Sequence, residues 1–571
     1  MPLASASPMA AARACERVGA RDGRTDTLYA SPMMCCAVAA LLLMRHSAAQ
    51  PSPTSAASQF SPASEPPTSA ALPVVVDLGL LQPLPTDGAA KLAEQVAVQT
   101  CAGLLNRERG VVGRGVYTLI SSTDVDWLFD TDGVCVHGVK YPAGAACGMP
   151  SSPPTVTPTE RSAFLRACIS AKRSDGSMLV SGAIRFNASR TAQQLLVPNI
   201  VTLAAVLDAL PLQSDHPLAA AVPVVFNAID TFRGMGALEA TEYMHTHYIN
   251  RTTSMAQMNP GLDVHGDNKI NPPLTQDLNP GLIDYIVKER LFNFFMLNQC
   301  IKGTPEHRLM EKIVTENPWP RPIAVMGYDD TWALAGDIFE AETNCVKEHN
   351  MGQIASDGVN NLAFYSRDPP ITQPLVQPRL DSPTFNASKT YLAIVIGDGD
   401  NTGYMKDSRR SWFMDRVSRC TKNDSYGSCF PLLWTASPQL LHLAPDWLQW
   451  YYAGARRTGH DYFVLPPSGD LYSYPGEMQS ADQQQFVQNT ERDCHIMNTS
   501  ATVEWEWFDT WPNALSDYYP RYSDRGIVRG LFAVNVPYML PIWLFKPNEY
   551  YRIIDPRGVR VSSPLVLFRP R

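Results

Sequence analysis

The chain predicts an α/β fold. Short apolar runs of strand length alternate with amphipathic stretches of helix length. Several of those runs stop in polar, glycine-rich turns, the mark of strands that end at a face carrying function. Apolar and charged fractions of 45% and 18% are those of a chain that buries a real core. The finer prediction is a C-terminal (β/α)8-like barrel, distorted or incomplete, preceded by smaller α/β N-terminal units. A length of 571 residues leaves room for about three or four domain-sized units.

Residues 1–49 read as a targeting segment. Met33-Met-Cys-Cys-Ala-Val-Ala-Ala-Leu-Leu-Leu-Met44 has the length of a signal's apolar core. It is shorter than the roughly 20 residues of a membrane span, so no stable span is expected. Arg13, Arg17, Arg21 and Arg24 precede it, and Ser47-Ala-Ala49 supplies small residues for cleavage before Gln50. Met33 and Met34 are alternative starts. Residues 50–71 are rich in Pro, Ser, Thr and Ala and form a linker suited to O-glycosylation. Sequons at Asn187, Asn250, Asn386, Asn423 and Asn498 agree with a secreted or cell-surface glycoprotein. Nine cysteines follow the signal, an odd number. Cys135/Cys147 and Cys420/Cys429 are spaced for local disulfides, and no Cys/His grouping suits a structural zinc.

Residues 72–281 form an N-terminal α/β support region. Strands are expected at Pro73–Leu78, Val116–Ile120, Ser177–Ser181 and Val222–Phe226. Helices are expected at Gly88–Asn106, on the stripe Leu92, Val96, Val98, Ala102 and Leu105, and around Val197–Leu210. Asp263–Pro280 is turn-rich and marks the boundary.

Residues 282–571 carry the barrel expectation. A helix is predicted over Leu282–Leu297. Strands follow at Pro322–Met326, Gly352–Ala355, Tyr391–Ile396, Phe430–Trp434, Asp461–Leu465, Thr502–Trp507, Val528–Val534 and Leu540–Phe545. About eight strands in roughly 250 residues are the proportions of a (β/α)8 barrel. Helices fit between them at Thr402–Cys420, Pro445–Arg457, with Pro445 at its first position, and Gln479–Met497.

The chemistry-bearing residues fall where these strands end. Asp398-Gly-Asp-Asn401 closes one strand, and Ser468-Gly-Asp-Leu-Tyr-Ser-Tyr-Pro475 follows another. Asp398 and Asp400 are two residues apart, so both can face one side, and two close like charges raise one pKa. The turn has three readings. It supplies catalytic carboxylates; it offers Asp398, Asp400 and Asn401 oxygens to a hard divalent cation; or it is a polar turn bonded to its own backbone. Ser468, Gly469, Asp470, Tyr472 and Tyr474, with Trp434, are candidates for substrate binding, because aromatic rings give sugars a flat apolar face. Glu504 and Glu506 alternate with Trp505 and Trp507, so one pair faces inward. Either glutamate, or Asp509 at the strand end, is a candidate opposing carboxylate. The alternative is a surface glutamate beside a core tryptophan. His442 and His460 lack ligand spacing. No P-loop, dinucleotide fingerprint or Ser-x-Gly elbow occurs. A net charge of −8 excludes the basic footprint of a nucleic-acid binder.

Together these residues resemble the GxGYxYP family of putative glycoside hydrolases. The matching motif is Gly469-Asp-Leu-Tyr-Ser-Tyr-Pro475. The Asp398–Asn401 turn, Trp434-Thr-Ala-Ser-Pro438, Asp284-Tyr-Ile-Val-Lys-Glu-Arg290 and Ser356-Asp-Gly-Val-Asn-Asn-Leu362 are similar in order and spacing, and Gln99–Asn106 resembles the family's N-terminal domain. Leu471 stands where the motif has its second glycine. If that glycine serves a positive φ or a close backbone approach, leucine there reshapes the loop. The resemblance implies a carbohydrate substrate; no cofactor is expected, with a divalent metal at Asp398, Asp400 and Asn401 left open. The expectation is a secreted glycoside hydrolase, with a non-catalytic carbohydrate-binding protein and a metal-dependent hydrolase as the alternatives.

Overall fold

The chain divides into 1–68 and 69–571, and every described residue lies in the second unit. The computed structural model describes residues 71–108, 110–141, 147, 152–189, 195–258, 280–296, 298–327, 349–356, 358–378, 388, 393–422, 429–507, 510–522, 526–536, 551–553 and 560–562.

The N-terminal part opens with β1 (Val74–Asp77), α1 (Gly88–Arg107) and β2 (Val116–Leu119), the two strands pairing in parallel. Asp87 caps α1 by accepting from the Ala90 N–H, which satisfies one of the first-turn donors. Helix α2 (Ser122–Asp132) starts on a Ser121/Asp124 capping box and stops on Gly133 in the left-handed region. A second parallel sheet contains β3 (Ala183–Phe186), β4 (Leu210–Gln213) and β5 (Val224–Asn227), with β3 central. The run Ser177–Ser181 is therefore not the strand; the strand begins two residues after it, at Ala183. The helix α3 (Val197–Leu207) ends where Asp208 turns left-handed, so Leu210 opens β4 rather than closing the helix.

The next sheet has the order β9-β8-β6-β7, all parallel, from β6 (Met255–Gln257), β7 (Phe292–Phe294), β8 (Ile323–Gly327) and β9 (Met351–Ile354). Its strands come from both sides of the expected boundary near residue 281. The helix predicted over Leu282–Leu297 is only α4 (Ile283–Glu289). Arg290 adopts φ 56° and ends it, and the buried Phe292-Asn-Phe294 becomes β7. Apolar periodicity does not distinguish the two over so short a run.

The C-terminal sheets hold β10 (Val395–Ile396), β11 (Leu432–Thr435) and β12 (Asp461–Val464), then β13 (Ala501–Trp507), β14 (Gly530–Val536), β15 (Tyr551–Ile553) and β16 (Arg560–Ser562). A parallel bridge from Leu465 to Thr502 joins β12 to β13. Among the described strands, only β15 runs antiparallel, against β16. The predicted α/β class with parallel sheets is thus what the chain adopts, while no closed barrel occurs among the described residues. The expected strand Leu540–Phe545 lies outside them.

Between these strands run α5 (Thr402–Lys406), α6 (Ser408–Lys422), α7 (Pro445–Thr458) and α8 (Ser480–Ile496). One helix predicted over Thr402–Cys420 is two, because Asp407 breaks it at φ −106°, ψ −84°. Pro445 opens α7, and Gly459 in the left-handed region closes it. Cys101–Cys168, Cys135–Cys147 and Cys420–Cys429 are disulfides, two of them expected, and Cys494 is a buried free thiol. Among the described residues, no helix is long and apolar enough to cross a membrane.

The N-terminal part braces the C-terminal one. The Lys406 ammonium meets the buried Asp124 carboxylate at 2.8 Å, and Trp127 Nε1 donates to Lys406 O at 2.8 Å. Trp127 stacks on Trp447 of α7 with centroids 5.0 Å apart. These contacts fix α5, the helix that the Asp398–Asn401 turn leads into.

Candidate active site

Two loops are fastened to β9, one just past its carboxyl end and one along its edge. The first is the Asp398–Asn401 turn after β10. Gly399 donates its N–H to Thr435 Oγ1 at 2.9 Å. A Cβ on Gly399 would lie 1.9 Å from Thr435 O, so the turn can only sit this close to β11 with glycine there. Asn401 is the N-cap of α5, its Oδ1 accepting from Gly403 N (2.9 Å) and Tyr404 N (3.0 Å). Thr402 then donates both its N–H (2.8 Å) and its hydroxyl (2.9 Å) to Ala355 O, just past β9.

Behind this turn lies the buried Arg409. Its guanidinium donates to Thr435 O at 3.0 Å and to Gly397 O. It also stands between the Tyr404 and Trp434 rings, at 5.1 and 5.0 Å from their centroids. Asp398 sits at φ 63° with an exposed side chain, and Asp400 is half-buried. Surrounding protein still desolvates the Asp398 carboxylate enough to raise its pKa, and the Arg409 charge opposes that rise.

The second loop carries the tyrosine motif. Gln353 of β9 and Tyr472 exchange backbone hydrogen bonds of 2.8 and 3.0 Å, so the loop adds an antiparallel bridge to the edge of the sheet. Ser473 Oγ donates to Met351 O at 2.9 Å. Leu471 is buried at an ordinary negative φ, and a Cβ on Gly352 would lie 2.5 Å from its side chain. The reshaping expected of Leu471 is therefore a packing exchange: its side chain covers the bare backbone of Gly352. Gly469 has φ 114°, and a Cβ there would meet Thr490.

Each remaining predicted residue has a definite place. Ser468 is buried; its hydroxyl donates to Ser473 O (2.8 Å) and accepts from Trp505 N (2.9 Å), tying the loop to β13. Asp470 is buried as well, accepting from Gln439 Nε2 (2.9 Å) and Asn489 Nδ2 (2.8 Å). Those bonds make Asp470 an anchor of the loop. Beside it, burial and then the Asp470 charge hold the Asp493 carboxyl far above the usual range.

Tyr472 and Tyr474 stand apart from the main core in a small cluster with the half-buried Trp505; Tyr472 lies 5.3 Å from Trp505 and 6.2 Å from Tyr474 between ring centroids. Trp434 is different. It is buried, its Nε1 bonds Asp461 Oδ1 at 2.7 Å, and its faces are taken by Arg409 and Phe413. It presents no platform to a sugar; Trp505 is the tryptophan placed with the motif tyrosines.

Glu504 and Glu506 are the pair of β13 that faces inward. Both are 0% exposed, on the face of β13 opposite Trp505. Glu506 accepts from Gly476 N (2.7 Å) and Thr510 Oγ1 (2.6 Å), and Glu504 accepts from Tyr518 at 3.3 Å. Burial, then the neighbouring Glu506 charge, keeps the Glu504 carboxyl far above its usual range. Asp509 lies outside the described residues. The structure therefore brings the aspartate turn and the tyrosine loop together around β9 and sets the two glutamates behind β13. Among the described residues, no group of three or more His, Cys, Asp or Glu is arranged to hold a metal.

Sequence reasoning did not single out Arg409, Gln353, Gln257 or Thr402. Gln257 and Gln353 did carry a signal, since each interrupts a buried apolar strand.

Residues 388–536 match the family model of the GxGYxYP putative glycoside hydrolase C-terminal domain. The resemblance drawn from the motif is thus shown for that segment. Among solved structures, a putative hydrolase from Bacteroides thetaiotaomicron VPI-5482 is similar, at 17% identity and a TM-score of 0.58, over 86% of this chain and 80% of that one. At that identity the likeness shows a shared fold. No curated protein matches the chain.

Proposed function

We propose that the protein is a secreted glycoside hydrolase whose site lies at the carboxyl end of β9. The observation that carries this reading is that both loops are fastened to this one strand. Gln353 pairs with Tyr472, and two residues on Ala355 O holds Thr402 behind the Asp398–Asn401 turn. The carboxylates follow the carboxyl end of this strand, where α/β enzymes bind substrate, and the aromatic cluster lines its edge.

In this reading Asp398 and Asp400 do the acid–base work. Partial desolvation favours the protonated form of Asp398, as a general acid at a glycosidic oxygen requires. Asp400 is then the base or nucleophile that activates water or attacks the anomeric carbon. Trp505, Tyr472 and Tyr474 hold the sugar. Glu504 and Glu506, sealed by Tyr518, Gly476 and Thr510, are structural. The disulfides fit the oxidising route that the N-terminal segment suggests.

The test is reducing-sugar release from a polysaccharide panel by the mature chain, with Asp398→Asn and Asp400→Asn beside wild type, each with and without EDTA. Release that both variants lose and EDTA spares supports the reading. Release abolished by EDTA points to a metal-dependent hydrolase. Binding without release by wild type points to a carbohydrate-binding protein.

A further inference from the structure

One row of side chains beside this site is left unexplained by the roles above. In the parallel register Val325 pairs with both Met255 and Gln353, and Gly327 pairs with Gln257. Paired residues of neighbouring strands point to the same face, as do residues two apart on one strand. Gln257 and Gln353 therefore project from the same face of the sheet, on either side of β8. Tyr472, paired to Gln353 across the edge bridge, projects there too. The row runs Gln257, Gly327, Gln353, Tyr472, and Trp505 stands against its aromatic end.

The two glutamines are buried, at 3% and 5% exposure. Gln353 Nε2 donates to Gly327 O at 2.7 Å, which fixes the amide and turns its Oε1 the other way. That Oε1 and Gln257 Nε2 have no hydrogen-bond partner among the described residues. A buried amide donor and a buried amide acceptor thus stand unsatisfied on one face. Leaving such groups unmade is costly, so a site that keeps them has a use for them. Together they offer a donor and an acceptor with no formal charge.

We infer that Gln257 and Gln353 form a neutral subsite continuous with the Tyr472/Trp505 cluster, and that the glycan it takes is uncharged. A hydroxyl pair or an acetamido group on a pyranose supplies the matching acceptor and donor. A uronic-acid carboxylate has no cation to meet in this row and would face the Gln353 oxygen. The inference rests on the reading of this site as a sugar site, but not on catalysis, so binding tests it separately from hydrolysis.

The experiment is calorimetric titration of the mature chain with cello-, xylo-, chito- and polygalacturonate oligosaccharides, repeated with Gln257→Leu, alongside thermal melts. Gln257→Leu keeps the volume and removes the unsatisfied donor. The expected result is binding of at least one neutral oligosaccharide and none of the acidic one. The variant is expected to bind roughly five- to tenfold more weakly, the worth of one neutral hydrogen bond, with its melting temperature not lowered. Neutral binding without hydrolysis leaves the inference standing and removes the hydrolase reading. Unchanged affinity in Gln257→Leu overturns the inference and assigns the amides to a buried water. Preference for the polygalacturonate probe, or no binding of any neutral one, also overturns it. A Gln353→Glu variant is the second check: a carboxylate there should weaken neutral binding and leave acidic oligosaccharides unbound.

Discussion

The two carboxylate pairs of this chain look alike in sequence and are opposites in the structure. Asp398 and Asp400 stand two apart on a turn; Glu504 and Glu506 stand two apart on a strand. The turn lifts its pair to an exposed or half-buried rim, with Arg409 behind it. The strand drives its pair into a sealed chamber of tyrosines and backbone donors. Spacing is the same in both, so spacing says nothing about access. A pair of acids is available for chemistry only where the backbone delivers it to solvent.

That contrast can be broken most directly by activity. Asp400→Asn and Asp398→Asn are each expected to lower kcat/KM by about 10²–10⁴-fold on any glycan that wild type cleaves, the usual worth of a positioned acid or base. Glu504→Gln should leave kcat/KM within about threefold, since it keeps the Tyr518 hydrogen bond. Steady-state kinetics of the three variants on one substrate decide it, and a Glu504→Gln loss as deep as that of the aspartates would abolish the distinction.

The motif loop offers a second, smaller test through its leucine. Leu471→Gly should cost about 2–4 kcal/mol by emptying the space over Gly352. Gly352→Ala should cost about 1–3 kcal/mol by overpacking the same contact. Urea denaturation of the double variant should fall short of the sum of the two, because the alanine partly refills the cavity. Strict additivity would show that the two residues do not pack together.

The pH dependence of stability sharpens the comparison further. Glu504 is held protonated in the folded state at pH values where the unfolded chain has ionised it. Its contribution is therefore fully present below the ordinary glutamate pKa and is lost as pH rises towards the folded value. Within that window the slope is about 1.4 kcal/mol per pH unit. Chemical denaturation from pH 4 upward should show Glu504→Gln gaining on wild type as pH rises; parallel curves would mean that the carboxyl is not desolvated. Smallest of all is the effect of Arg409→Gln on the rate profile. Losing that charge should raise the Asp398 pKa further and move the alkaline limb of kcat/KM to higher pH. A limb that stays in place would separate Asp398 from the acid role.

Much of this was legible in the residues. The strands at 74–77, 323–327, 432–435 and 461–464, and the helices at 88–107 and 445–458, follow from apolar runs, caps and glycine stops. So do the Cys135–Cys147 and Cys420–Cys429 disulfides, whose loops are short. The break at Arg290 was not legible, because a non-glycine residue in the left-handed region leaves no mark in composition.

The sequence by itself determined the α/β class, the Gly469–Pro475 motif, and the presence of an aspartate turn and a tyrosine loop after strands. Only the tertiary structure decided which of them meet. Alternation along β13 puts Trp505 with the tyrosines and both glutamates behind it. Trp434, a substrate-binding candidate by its place at a strand end, is buried because α6 brings Arg409 and Phe413 over its ring, and which helix covers a strand is not written in the strand. The row of Gln257, Gln353 and Tyr472 spans more than 200 residues of chain and exists only through strand register. Local sequence sets backbone preference and side-chain period; register and layer packing, which sum contacts over the whole fold, set which faces coincide.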